Sequence, residues 1–190
     1  MNQTRSQSDN PRSTRIFSSL ALAILLISVP SPGFAQAPPN DFCDDAVSLS
    51  CSAGPSIVLG NNESSTASSA PSCGTNPGST AVWYSVMGNG FDIQIDTCSP
   101  NTVFDTKINI YTGDCGDQAN MVCIGGNDDA AGSPPECDLG GFTRLSRFSW
   151  SSVDGVEYLI LVSGFGGLSG DFELTLDCEV PVELQRLTVQ

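Results

Sequence analysis

Apolar and polar positions alternate in three short runs of the chain. Phe91, Ile93 and Ile95 alternate with Asp92, Gln94 and Asp96, and Ile108 and Ile110 with Lys107 and Asn109. Near the C-terminus Phe172, Leu174 and Leu176 alternate with Glu173, Thr175 and Asp177. Successive side chains of a strand point to opposite faces, so each run predicts a strand with one core face and one wet face. Tyr158 to Val162 is apolar throughout and predicts a central strand covered on both sides. Val82 to Val86 predicts another strand, and Gly88-Asn89-Gly90 after it predicts a hairpin into the strand from Phe91. Beyond residue 35 no stretch has a helical period. The pattern is that of an all-β domain, an antiparallel two-sheet β-sandwich.

The remaining segments read as connections. Residues 36 to 80 are rich in Ser, Pro, Asn, Gly and Ala, with one apolar stretch at Ile57-Val58-Leu59. They predict an irregular, cysteine-tethered segment with a single edge strand. Between Phe142 and Trp150, Arg144 and Arg147 are three apart and cannot share a face of a flat strand, so a bulge is expected there. Gly164 to Gly170 is a glycine-rich link between the last two strands. It has neither a Gly-Lys-Ser/Thr nor a following helix, which argues against a phosphate cradle.

Arg12 and Arg15 precede an uncharged apolar run from Ile16 to Val29, followed by small residues and by Pro30 and Pro32. This is the pattern of a secretory signal peptide. The run falls short of the roughly 20 residues that a bilayer-spanning helix needs, so no stable membrane span is expected after cleavage. Cleavage after Ala35 starts the mature chain at Gln36; cleavage after Ala37 would start it at Pro38. The expected division is therefore 1–35 signal peptide, 36–80 tethered segment, 81–178 sandwich core and 179–190 tail. The whole chain has 7 basic and 21 acidic residues, and loss of Arg5, Arg12, Arg15 and Asp9 leaves 4 and 20, a formal charge of −16. Such a surface repels phosphate backbones and anionic lipid, which disfavours nucleic acid as a partner and admits divalent cations and basic partners.

All eight cysteines follow the signal peptide, and an even number in an oxidising compartment predicts disulfides. With no histidine and no Cys-x-x-Cys pair, a structural zinc site has no usual ligand pattern. Cys115 and Cys123 flank a short turn-rich linker and are expected to pair; Cys43 or Cys51 is expected to pair with Cys178.

The sharpest polar cluster is Asn127-Asp128-Asp129 after Gly125-Gly126, with Asp105-Thr106 earlier in the chain. Calcium takes six to eight oxygen ligands, and carboxylates on adjacent loops supply several, so Asp105, Asn127, Asp128 and Asp129 form a candidate calcium set. The competing reading makes them turn formers that bond their own backbone. The absence of histidine excludes Ser-His-Asp and Cys-His catalysis. Asp96-Thr97 and Asp105-Thr106 resemble half of an aspartic-protease signature, but Cys98 and Lys107 follow where that loop needs glycine.

Several segments in order resemble the bacterial pre-peptidase C-terminal domain, a secreted β-sandwich of jelly-roll type. They are Pro39-Asn40-Asp41 with Cys43 and Ala46, Val82 to Ser85, Phe104-Asp105-Thr106 leading to Ile110 to Gly113, Asn127 to Asp129, Tyr158 to Val162, and Gly170-Asp171-Phe172. The resemblance covers roughly residues 39 to 178 and implies a non-catalytic accessory module associated with secretion, substrate or matrix binding, and in some members calcium. The function expected is recognition of an extracellular protein or glycan at the cell surface, with Phe165 as a loop aromatic available for contact. The alternatives are a structural spacer in an envelope assembly and a carboxylate-dependent hydrolase.

Overall fold

The computed structural model describes residues 36–130, 137 and 144–179. The expected signal peptide, the tail from residue 180 and the start of the Phe142–Trp150 segment lie outside the described residues. The chain forms strands β1 (Val47–Leu49), β2 (Ser56–Asn61), β3 (Ala81–Met87), β4 (Asp92–Asp96), β5 (Thr106–Thr112), β6 (Val122–Asn127), β7 (Arg147–Ser151), β8 (Glu157–Gly164) and β9 (Asp171–Cys178). They build two sheets, one in the order β1-β3-β8-β5-β6 and one in the order β2-β9-β4-β7. Every neighbouring pair is antiparallel except β1 with β3, which is parallel. The chain is a disulfide-bridged β-sandwich. The strand β1 has only three residues, too few to show a period in the sequence.

The sandwich holds two cores. Between the sheets, Ile93 and Ile95 of β4 and Phe172, Leu174 and Leu176 of β9 meet Val82, Tyr84, Ile108, Ile110, Ile160 and Val162. The alternating faces of β4 and β9 supply this core as their period predicts. A second core lies on the outer side of the five-stranded sheet. There Trp83, Tyr111, Leu159 and Leu161 are covered by Cys43, Ala70 and Cys73, with Met121 beside them. In the first third of the chain, the irregular stretches around Cys43 and from Ala70 to Asn76 are therefore the lid that lets β8 be apolar on both faces, while β1 and β2 of the same segment join the sheets. The lid also changes the reading of β5, whose polar face is not wet: Lys107 is 7% exposed and Asn109 is fully buried beneath it.

Three local expectations change. The turn at Gly88–Gly90 does not close a hairpin, because β3 and β4 belong to different sheets. The apolar β3 needs strands on both edges and finds them in β1 and β8, so the chain crosses to the opposite layer, where Ile93 and Ile95 face it. Phe91 lies outside β4 and is exposed rather than on the core face. Arg144 and Arg147 are not separated by a bulge within one strand: Arg144 precedes β7, and the fully buried Leu145 and Ser146 stand between them.

The expected Cys115–Cys123 bridge is corrected by the structure. Cys115 is bonded to Cys43 and Cys123 to Cys73. Proximity in sequence favours the short loop, but Cys123 pairs in register with Tyr111, whose ring lies in the outer core beneath Cys73. Tyr111 anchors the same stretch by donating its hydroxyl to the carbonyl oxygen of Pro71 at 2.7 Å. Cys123 thus staples the lid to β6 and Cys115 staples it to the connection between β5 and β6, instead of the two closing their own loop. Cys51 is bonded to Cys178 across 127 residues, one of the two pairings expected, and Cys98 is bonded to Cys137.

Candidate metal site

The antiparallel register of β5 and β6, with Ile108 opposite Asn127, brings the residue before β5 beside those that follow β6. Asp105, Asp128 and Asp129 converge there, with one carboxylate oxygen from each within 4.8 Å of the others. The backbone under them is fixed. Ser146 Oγ lies 2.6 Å from the carbonyl oxygen of Thr106, 3.0 Å from that of Asn127 and 2.9 Å from that of Asp128. The amide of Phe165 donates to the carbonyl of Asp105 at 2.9 Å.

Asn127, the fourth residue of the sequence-derived set, does not join the carboxylates. Its amide nitrogen donates to the carbonyl of Asp129 at 3.0 Å, and its side-chain oxygen accepts from the amide of Arg147 at 3.2 Å. It shapes the loop that presents Asp128 and Asp129. Two cations that the sequence did not assign to the cluster border it. The Lys107 ammonium is 3.9 Å from Asp128 Oδ2, 3.3 Å from the carbonyl of Asn76 and 5.1 Å from the centre of the Phe165 ring. Arg144 lies 3.2 Å from Asp129 Oδ2 and is largely exposed, so water screens that contact. Neither cation carries a local sequence signal, because their roles arise from strand pairing.

The electrostatics are those of a crowded acid site. Burial, together with the charges of Asp129 and Asp128, pushes the Asp105 carboxyl above its usual range, against Arg144 and Lys107. Asp128 is raised as well, chiefly by burial and also by Asp129, while Lys107, the neighbouring Thr75 and Arg144 oppose the shift. Asp105 Oδ1 and Asp128 Oδ1 are both buried and have no hydrogen-bond partner. A carboxylate oxygen removed from water without a donor is costly, and a hard cation relieves that cost. Calcium holds its oxygens at about 2.3–2.6 Å, so oxygens on opposite sides of one ion stand roughly 4.8 Å apart, a spacing these three carboxylates can meet.

The two Asp-Thr dipeptides do meet, through their threonines. Thr97 Oγ1 and Thr106 Oγ1 are 2.6 Å apart in a buried bond, and both accept from the amide of Ser146. Their aspartates part company: Asp96 binds Arg147 at 3.0 Å, while Asp105 faces Asp128 and Asp129. Phe165 stands on its loop half exposed.

No protein-family model matches the chain, and no curated protein matches it. A solved structure resembles it weakly: CorA, described as a surface-associated copper-binding protein important in copper acquisition by Methylomicrobium album BG8. The two share 12% identity with a TM-score of 0.39, over 72% of this chain and 98% of that one. A likeness of that size bears on neither ligand nor role.

Proposed function

We propose that this chain is a secreted, non-catalytic binding module for an extracellular protein or glycan at the cell surface, with a calcium ion held by Asp105, Asp128 and Asp129. The observation that carries the metal assignment is the pair of buried, unpartnered oxygens, Asp105 Oδ1 and Asp128 Oδ1, within a set of three converging carboxylates. Export is supported by the N-terminal pattern of Arg12, Arg15 and the apolar run to Val29, and by four disulfides, which persist in oxidising compartments. No helix among the described residues is long and apolar enough to cross a membrane. A non-catalytic role is supported by the lack of histidine, by the engagement of Asp96 with Arg147, and by the resemblance of the ordered segments to the pre-peptidase C-terminal domain. In this reading the ion would tie the start of β5 to the loop after β6, close to Phe165.

Melting the purified protein with calcium and with a chelator tests the metal. A higher midpoint in calcium, lost in Asp128→Asn, is expected; identical midpoints with and without calcium would remove the ion from the reading. A mixed array of glycans and matrix proteins tests the binding role, and an array with no signal would overturn it.

A further inference from the structure

The four-stranded sheet presents an outward face far removed in character from the calcium cluster. Strand register defines it: Ile57 lies opposite Thr175, Leu59 opposite Glu173 and Asn61 opposite Asp171. Farther across, Asp177 is opposite Gln94, Gln94 opposite Ser149 and Asp92 opposite Ser151. Directly opposed residues share a face, so these side chains form one surface. Ile57 and Leu59 stand at its β2 edge with 61% and 74% of their surface exposed. Asp92, Asp171, Asp177 and Glu179 are exposed too, and Glu173 is half-buried.

At one end of this face Asp96 is paired with Arg147; its other acids are left with neutral company. Asn61 donates to Asp171 at 2.6 Å, Asn101 to Glu173 at 2.7 Å and Ser151 to Asp92 at 2.6 Å. Among the described residues the basic side chains are Lys107, Arg144 and Arg147. Arg147 binds Asp96, and the other two border the Asp128–Asp129 cluster. Arg147 is taken up by Asp96, so the charge of the face's remaining acids is uncompensated, and three of them, Asp92, Asp177 and Glu179, line a shallow hollow of about 630 Å³ with Gln94 and Ser149. The exposed aliphatic pair lies beyond β9, on β2, which carries no charged residue. A desolvated aliphatic contact beside unmatched carboxylates complements a surface that is both apolar and cationic.

We propose that this face docks a basic protein segment whose lysines or arginines are interspersed with aliphatic side chains. The cations meet Asp92, Asp177 and Glu179, and the aliphatic groups cover Ile57 and Leu59. The proposal rests on the binding-module reading and names its partner class, but it does not need the calcium ion.

Fluorescence anisotropy of a labelled peptide of alternating lysine and leucine, run against a glutamate–leucine peptide, tests it on the full chain. The expected result is binding of the lysine peptide alone. Ile57→Ser with Leu59→Ser, and separately Asp92→Asn with Asp177→Asn, each weaken it by roughly tenfold, while Asp44→Asn with Asp45→Asn, exposed acids elsewhere, does not. Near-UV circular dichroism confirms that each variant is folded. No binding, or equal weakening by the Asp44 and Asp45 pair, overturns the proposal, the second outcome reducing it to net charge. A lysine peptide that fails while the glycan and matrix array gives a signal overturns this face and leaves the binding module standing.

Discussion

Asn109 and Cys73 are joined by a hydrogen bond of 2.7 Å from the amide nitrogen of one to the carbonyl oxygen of the other, and the same nitrogen donates to Thr75 at 2.8 Å. This fully buried asparagine projects from the outer face of β5 and holds the lid on the five-stranded sheet. Asn109→Ala removes the donor to the buried carbonyl of Cys73 and to the part-buried carbonyl of Thr75 and is expected to lower stability by about 2 kcal/mol. Urea unfolding measures it. A loss below the error of the experiment would show that the disulfides alone fix the lid.

The bridges are open to direct mapping. Digestion without reduction is expected to release peptides linking Cys43 to Cys115 and Cys73 to Cys123, and none linking Cys115 to Cys123. Because Cys51 and Cys178 close a span of 127 residues, Cys51→Ala with Cys178→Ala is expected to destabilise by about 5 kcal/mol on chain-entropy grounds. A mass map dominated by the short-loop peptide would refute the arrangement of the lid.

The acid cluster has a pH signature. A carboxyl raised above its ordinary value of 3.8 is protonated more readily in the folded chain than in the unfolded one. The stability contributed by Asp105 and Asp128 is therefore complete below that ordinary value and is lost as pH rises through the raised folded values. Without calcium, Asp105→Asn is expected to melt higher than wild type, by a margin that grows as pH rises toward neutrality. With calcium the order reverses, because the ion needs the carboxylates ionised. Melting curves of both proteins across pH, with metal and with chelator, give the four slopes.

Gly126 tests the packing beneath the lid. A Cβ added there would fall on the carbonyl oxygens of Cys73 and Ile108, both backbone atoms that cannot swing aside. Gly126→Ala is expected to cost about 3 kcal/mol. Gly116→Ala, where the added carbon meets only the Asp114 side chain at ordinary contact distance, is the control and should be nearly neutral. Thermal melts of the two variants compare them directly.

Much of the architecture could be read from the chain alone, because a strand writes its burial into its own period. Ile93 and Ile95, and Phe172, Leu174 and Leu176, are core residues where their alternation placed them, and the unbroken apolar run of β8 is central in its sheet. The same local logic failed wherever a second layer intervened. Lys107 and Asn109 carry the pattern of a wet face, yet the lid covers them, and nothing in the period of β5 records what lies above it. Three of the four candidate metal ligands meet because β5 and β6 pair in one register; Asn127 is drawn off by Arg147 and Asp129, a choice made by the loop's own hydrogen bonds.

By itself, then, the sequence determined the class of fold, the even cysteine set, the acidity and the approximate place of the carboxylates, since each depends on composition or on short-range periodicity. Only the tertiary structure decided which cysteines meet, that β3 and β4 part into different sheets, and that Ile57 and Leu59 share a face with Asp92 and Asp177. Those are relations between segments distant in the chain. They are fixed by which apolar faces can be buried against one another, a competition among all the segments that no single stretch encodes.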